Sequence, residues 1–194
     1  MKKILVFAVL ASFSFFGNAQ EESIRFGAKA GLNLGNVKGD NENTDMRTSF
    51  HVGALAEIPI SEKFAFQPEL LYSSQGNKVD ESDFESTTKL DYLQVPLMGK
   101  FYVAEGLSLQ AGPQVGFLLA ANSEGEDNGV DFDEDVKDQL KTIDFGLNLG
   151  AGYQLDMGVF FDARYNLGLS NILDDSGDLS VQNSVFQFSV GYKF

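Results

Sequence analysis

The chain has 194 residues, of which 43% are hydrophobic, enough for one domain with a large apolar share. It carries 28 acidic against 14 basic residues, a formal net charge of −14, which makes nucleic acid a poor partner. Cys is absent, which excludes a disulfide framework and a thiolate metal site. The 18 Phe and 20 Gly beside only 4 Pro suit strands that bend and pack closely rather than a helical bundle.

Lys2 and Lys3 precede an apolar run from Ile4 to Phe16, and the small residues Gly17-Asn18-Ala19 follow. This is the layout of a secretory signal peptide cleaved after Ala19, and the apolar run is too short to span a bilayer as a helix. The expected organisation is a signal peptide over 1–19 and one β-barrel domain over 20–194.

From there the chain alternates with a period of two in eight segments. The first is IRFGAKAGLNL (24–34), with Phe26, Ala28, Ala30, Leu32 and Leu34 on one face and Gly27, Lys29, Gly31 and Asn33 on the other. SFHVGALAEIPI (49–60), FAFQPELLYS (64–73) and LQVPLMGKFYV (93–103) follow, then LSLQAGPQVGFLL (107–119), IDFGLNLGAGYQL (143–155) and VFFDARYNLGL (159–169). The eighth, SVFQFSVGYKF (184–194), sets Phe186, Phe188, Val190, Tyr192 and Phe194 against Gln187, Ser189, Gly191 and Lys193. Pro59, Pro68, Pro96 and Pro113 fall inside these runs and are expected at bulges or strand ends.

Three connections are tight turns, at Ser61-Glu62-Lys63, Ala104-Glu105-Gly106 and Asp156-Met157-Gly158. The other four, roughly 36–47, 76–89, 121–141 and 170–183, are long and hold most of the acidic residues. Short turns at one end and long loops at the other describe an up-and-down barrel. The polar faces are rich in Gly, Ser, Asn and Gln, with few charges: Lys29, Glu57, Glu69, Lys100, Asp144, Asp162, Arg164 and Lys193. A water-facing surface carries more Lys and Glu and less Gly, whereas small and amide side chains suit the crowded lumen of an eight-stranded barrel. Runs of about 9–11 residues match tilted membrane strands, and aromatics at run ends, such as Phe64, Phe101, Tyr153 and Tyr192, fit interfacial girdles. The fold expected is all-β: an eight-stranded antiparallel up-and-down transmembrane β-barrel with its apolar face in lipid and its polar face inward.

Several stretches carry a resemblance: GAKAGLN (27–33), PELLYSSQG (68–76), YLQVPLMGKFY (92–102), AGPQVGFLL (111–119) and the terminal VGYKF (190–194). With the leader, they make the chain resemble the small porin-like, PorT-like outer-membrane β-barrel proteins of Gram-negative bacteria. The resemblance spans essentially the whole mature chain. It implies the cell outer membrane as location, outer-membrane lipid and lipopolysaccharide as surroundings, and no catalytic motif. It also implies that Val190, Tyr192 and Phe194 form the signal read by the barrel-assembly machinery during biogenesis.

Candidate chemical sites are few. Glu57, Glu69, Lys100 and Arg164 lie on inward faces and are expected to form a salt-bridge network filling the lumen, because an unpaired buried charge is very costly. A narrow ion path through them is the competing reading. Asp131, Asp133 and Asp135 in the loop EGEDNGVDFDEDVKD have the i, i+2, i+4 spacing of a calcium loop, but Val136 stands where that motif needs Gly and the closing Glu is missing. A solvated acidic loop is therefore expected, with divalent binding that bridges to lipopolysaccharide as the alternative. His51 is the only histidine and has no Cys or nucleophile arranged with it, so neither a zinc site nor catalysis is expected, and no cofactor motif is legible. The primary functional expectation is a structural or interaction protein with acidic extracellular loops. The alternatives are a narrow solute channel, a component of a secretion or assembly system, and a soluble lipocalin-like carrier.

Overall fold

The computed structural model describes residues 23–39, 44–81, 84–174 and 179–194. The leader expected over 1–19 lies outside the described residues. Among the described residues nine strands form one sheet: β1 (Arg25–Gly39), β2 (Asp45–Ser61), β3 (Phe64–Glu81), β4 (Phe84–Tyr102), β5 (Leu107–Asp127), β6 (Val130–Asp135), β7 (Ile143–Gln154), β8 (Val159–Gly168) and β9 (Val181–Lys193). Every pairing is antiparallel. The order runs β4-β3-β2-β1-β9-β8-β7-β5, and β4 pairs with β5, so these eight strands close on themselves into a barrel. In the closing seam β1 meets β9 from Gly27 opposite Lys193 to Gly39 opposite Val181. With that seam and the β4–β5 pairing, none of the eight barrel strands is left with an open edge.

The barrel is inside-out relative to a soluble domain. Leu32, Phe145, Phe161 and Phe188 are each half exposed on the outer face, while Glu57, Gln67, Asn33 and Ser73 on the inner face are fully enclosed. A lipocalin-like carrier, with its apolar side inward, is thereby ruled out. The outer residues meet hydrocarbon, where a Leu or Phe side chain gains roughly 1.5–3 kcal/mol over exposure to water. Closure matters for the same reason: lipid offers no partner to a free backbone N–H or C=O.

Two of the four segments read as long loops are instead β-structure. The alternation seen in the sequence stops near Ser73 and Leu93, yet β3 and β4 stay paired out to Glu81 opposite Phe84. Likewise β5 continues to Asp127 and turns back through Asn128-Gly129 into β6. Both turn residues have positive φ, 51° and 83°, the conformation of a tight two-residue hairpin turn that Asn-Gly favours. Beyond the membrane the outer face no longer needs apolar side chains, so the periodic signal fades while hydrogen bonding continues. Among the described residues β6 pairs with β5 alone.

Near the long-loop end the inner face carries an apolar cluster beside the buried polar residues Asn77, Ser86 and Asn183. A register shift between Asp91/Tyr92 and the partner strand turns both Leu118 and Ala121 inward. With Val37, Leu90, Tyr92 and Ile172 they form a buried cluster. Of the four prolines, only Pro59 stands at a register shift. Pro68, Pro96 and Pro113 lie within β3, β4 and β5, neither bulged nor terminal. Each pairs with one neighbouring strand and is skipped by the other, as expected of a residue lacking one ladder donor.

Candidate functional site: the charged lumen and the acidic wall

Inward residues of successive strands stack into layers. At the short-turn end Glu57 is the hub. Its Oε2 accepts from Lys100 Nζ at 2.8 Å and from Lys193 Nζ at 2.5 Å, and its Oε1 accepts from Arg25. Lys193 also donates to Gln154 Oε1 at 2.9 Å and lies over the Phe160 ring, while Lys100 lies over Tyr102.

The next layer centres on Glu69. Arg164 grips it with two bonds, 2.9 and 2.7 Å, the bidentate geometry that suits a planar guanidinium. Lys29 Nζ stands 2.7 Å from Glu69 Oε2. Arg164 also reaches Asp162 at 3.1 Å and Gln110 Oε1 at 2.7 Å, and Gln110 donates to Asp162 at 2.8 Å. Gln67 joins the two layers, accepting from Lys100 at 3.3 Å and donating to Glu69 at 2.6 Å. The four residues singled out from the sequence thus fall into two pairs, Glu57 with Lys100 and Glu69 with Arg164. Lys29, Asp162 and Lys193 join them, and all three were legible as inward charges from the alternation. Arg25 was not, because it opens its strand and is only partly enclosed.

Above these layers His51 donates from Nδ1 to Asn33 Oδ1 at 2.7 Å and accepts at Nε2 from Ser189 at 2.8 Å. That assignment follows from Asn33, whose amide nitrogen is committed to Ser74 O at 2.6 Å. Higher still, Asp144 accepts from Asn183 at 2.8 Å and Ser170 at 2.6 Å, beneath the apolar cluster. A polar lumen filled to this degree holds its charges by mutual pairing.

At the long-loop end β3, β4, β5 and β6 stand beyond the rest of the ring as a four-stranded wall. Register places Asp80, Glu85, Glu126 and Asp131 side by side in one row across it. The adjacent row is Lys78, Thr87, Glu124 and Asp133, and Lys89 is ion-paired with Glu124. Like charges directly opposite one another are destabilising, so this row weakens the wall rather than stabilising it. Phe84 and Phe132 stack on the opposite face with ring centroids 6.0 Å apart. Asp131, Asp133 and Asp135 lie on β6, an extended strand rather than a chelating loop. Among the described residues no group of three or more His, Asp or Glu could hold a metal ion. Val190, Tyr192 and Phe194 all point outward along β9 and its end, with the Tyr192 and Phe194 rings 6.2 Å apart.

A closed ring with an apolar exterior, a charge-paired interior and loops of unequal length defines a transmembrane barrel of the outer membrane. The outer membrane protein beta-barrel domain matches residues 18–174, and the chain belongs to that family. Its location is the outer membrane. Among solved structures the chain is similar to Ail, the attachment invasion locus protein of Yersinia pestis, at 17% identity and TM-score 0.54, covering 89% of this chain and 100% of that one. Ail in complex with the heparin analogue sucrose octasulfate is similar at 16% identity and TM-score 0.56, again covering 89% of this chain and 100% of that one. Neisserial surface protein A is similar at 15% identity and TM-score 0.55 with the same coverage. These likenesses concern the fold. No curated protein matches the chain.

Proposed function

We propose that this barrel is a non-conducting interaction protein, anchored with its short turns in the periplasm and its acidic wall outside the cell. Outer-membrane barrels generally lie that way round. The observation that carries the reading is the carboxylate row Asp80, Glu85, Glu126 and Asp131, built across four strands that outrun the membrane. A rigid acidic face with one free strand edge suits a basic partner surface better than a solute. The stacked ion clusters and the apolar cap over them favour a plugged lumen over the alternative of a narrow channel. No catalytic step is assigned: His51 has both ring nitrogens committed to Asn33 and Ser189.

Lipid and lipopolysaccharide are the expected surroundings, and Val190, Tyr192 and Phe194 are the residues we assign to recognition by the assembly machinery. A narrower kinship with PorT-like barrels of secretion systems rests on the quoted stretches alone; co-purification of secretion components in mild detergent would support it. The main reading is tested in planar bilayers and by binding. The refolded barrel should give no stepwise conductance, and an oligolysine peptide should bind it. The triple variant Glu85→Gln, Glu126→Gln, Asp131→Asn should lose most of that binding. Discrete ohmic openings would instead favour the channel.

A further inference from the structure

The ion cluster at the periplasmic end is out of balance. Among the described residues Arg25, Lys100 and Lys193 make ion pairs to Glu57 alone, so three cations share one carboxylate. The layer above sets Lys29 and Arg164 against Glu69 and Asp162 and is neutral. The side chains of Lys100 and Lys193 are 4% and 1% exposed, so water screens their surplus charge poorly. Amide oxygens of Gln67 and Gln154 and the rings of Tyr102 and Phe160 offset part of it.

Two clefts, of about 440 and 320 Å³, reach this cluster at Arg25. Arg25 and Tyr102 wall both. The larger continues to Pro59, Ser61, Glu62 and Ala65, the smaller to Gly106, Gln154 and Asp156. The guanidinium of Arg25 has five donors, is 40% exposed and spends one nitrogen on Glu57, so it keeps donors for a second acceptor.

We propose that this mouth binds a small carboxylate-bearing solute of the periplasm. The ligand carboxylate accepts from Arg25 and sits in the field of Lys100 and Lys193 behind it, which completes the charge that Glu57 leaves open. Glu62 and Asp156 on the cleft walls repel a second negative charge, so a monocarboxylate is preferred over a polyanion. The site is separate from the acidic wall and takes from the proposed function only that the short turns face the periplasm.

The test titrates the full barrel in detergent micelles with N-acetylalanine and, separately, with its uncharged amide, following the backbone amide NMR signals of the cleft walls, such as Ser61, Ala65, Gly106 and Gln154. The acid should give a saturable shift and the amide none. Arg25→Gln should weaken binding about tenfold or more, the loss of a charge-assisted hydrogen bond, while retaining the gel mobility of the folded barrel. Lys137→Gln, at the opposite end, should bind as the parent does. If Arg25→Gln does not fold, Tyr102→Phe is read in its place, and it should also weaken binding because it alters the wall common to both clefts. Equal response to acid and amide, parent-like binding by the decisive variant, or an equal loss in Lys137→Gln would overturn the proposal.

Discussion

Glu57 and Glu69 are both buried carboxylates on adjacent strands, yet their company differs. Glu69 and Asp162 together neutralise Arg164 and Lys29, so Glu69→Gln leaves two enclosed cations sharing Asp162 and should cost about 3–5 kcal/mol. Lys100→Met relieves a surplus instead: Glu57 keeps Arg25 and Lys193, so the cost should be about 1 kcal/mol or less. Urea unfolding in lipid vesicles, followed by the mobility difference between boiled and unboiled samples, measures both; equal losses would refute the division into one balanced and one unbalanced cluster. The inward placement of these residues was legible from alternation. Their partners were not, because Lys100 lies 43 residues from Glu57 and Arg164 lies 95 from Glu69. The lumen glycines follow the same logic. A Cβ at Gly152 would overlap both Asp162 and Gln110, whose hydrogen bond supports Arg164. The sequence marks such a position only as small.

Among the elements, the wall departs most from what the sequence displays. β5 runs 21 residues and β8 only 10, although their alternating segments in the sequence are of similar length. The excess of β5 is hydrogen bonding carried beyond the membrane, where nothing enforces an apolar outer face. Its tip depends on two residues at positive φ, Asn128 and Gly129. Replacing both with Ala forces a left-handed conformation on residues that resist it by roughly 1–2 kcal/mol each. Hydrogen exchange of the Val130–Asp135 amides should then quicken about tenfold or more, with the barrel strands unaffected. Unchanged protection of β6 would mean that the turn does not hold it.

For the whole molecule, the governing fact is which side meets hydrocarbon. Leu149 is half exposed in the middle of β7, and Val130 is 68% exposed on the wall. Leu149→Arg should destabilise the barrel in vesicles by about 2–4 kcal/mol, the range for a cation near the bilayer midplane, whereas Val130→Arg should cost little. Folding yield and urea midpoint in the same vesicles compare them. Matching effects would mean that the outer face of β7 is not in lipid.

The period-two pattern by itself determined the eight-stranded count, the inverted polarity and the residues that line the lumen, because lipid imposes its demand on each strand locally. Only the tertiary structure decided how strands stagger around the ring. Stagger chooses which inward charges share a layer, makes one cluster neutral and leaves the other with cations to spare, and aligns four carboxylates across the wall. Those outcomes depend on register between strands far apart in the chain, and no local pattern encodes register.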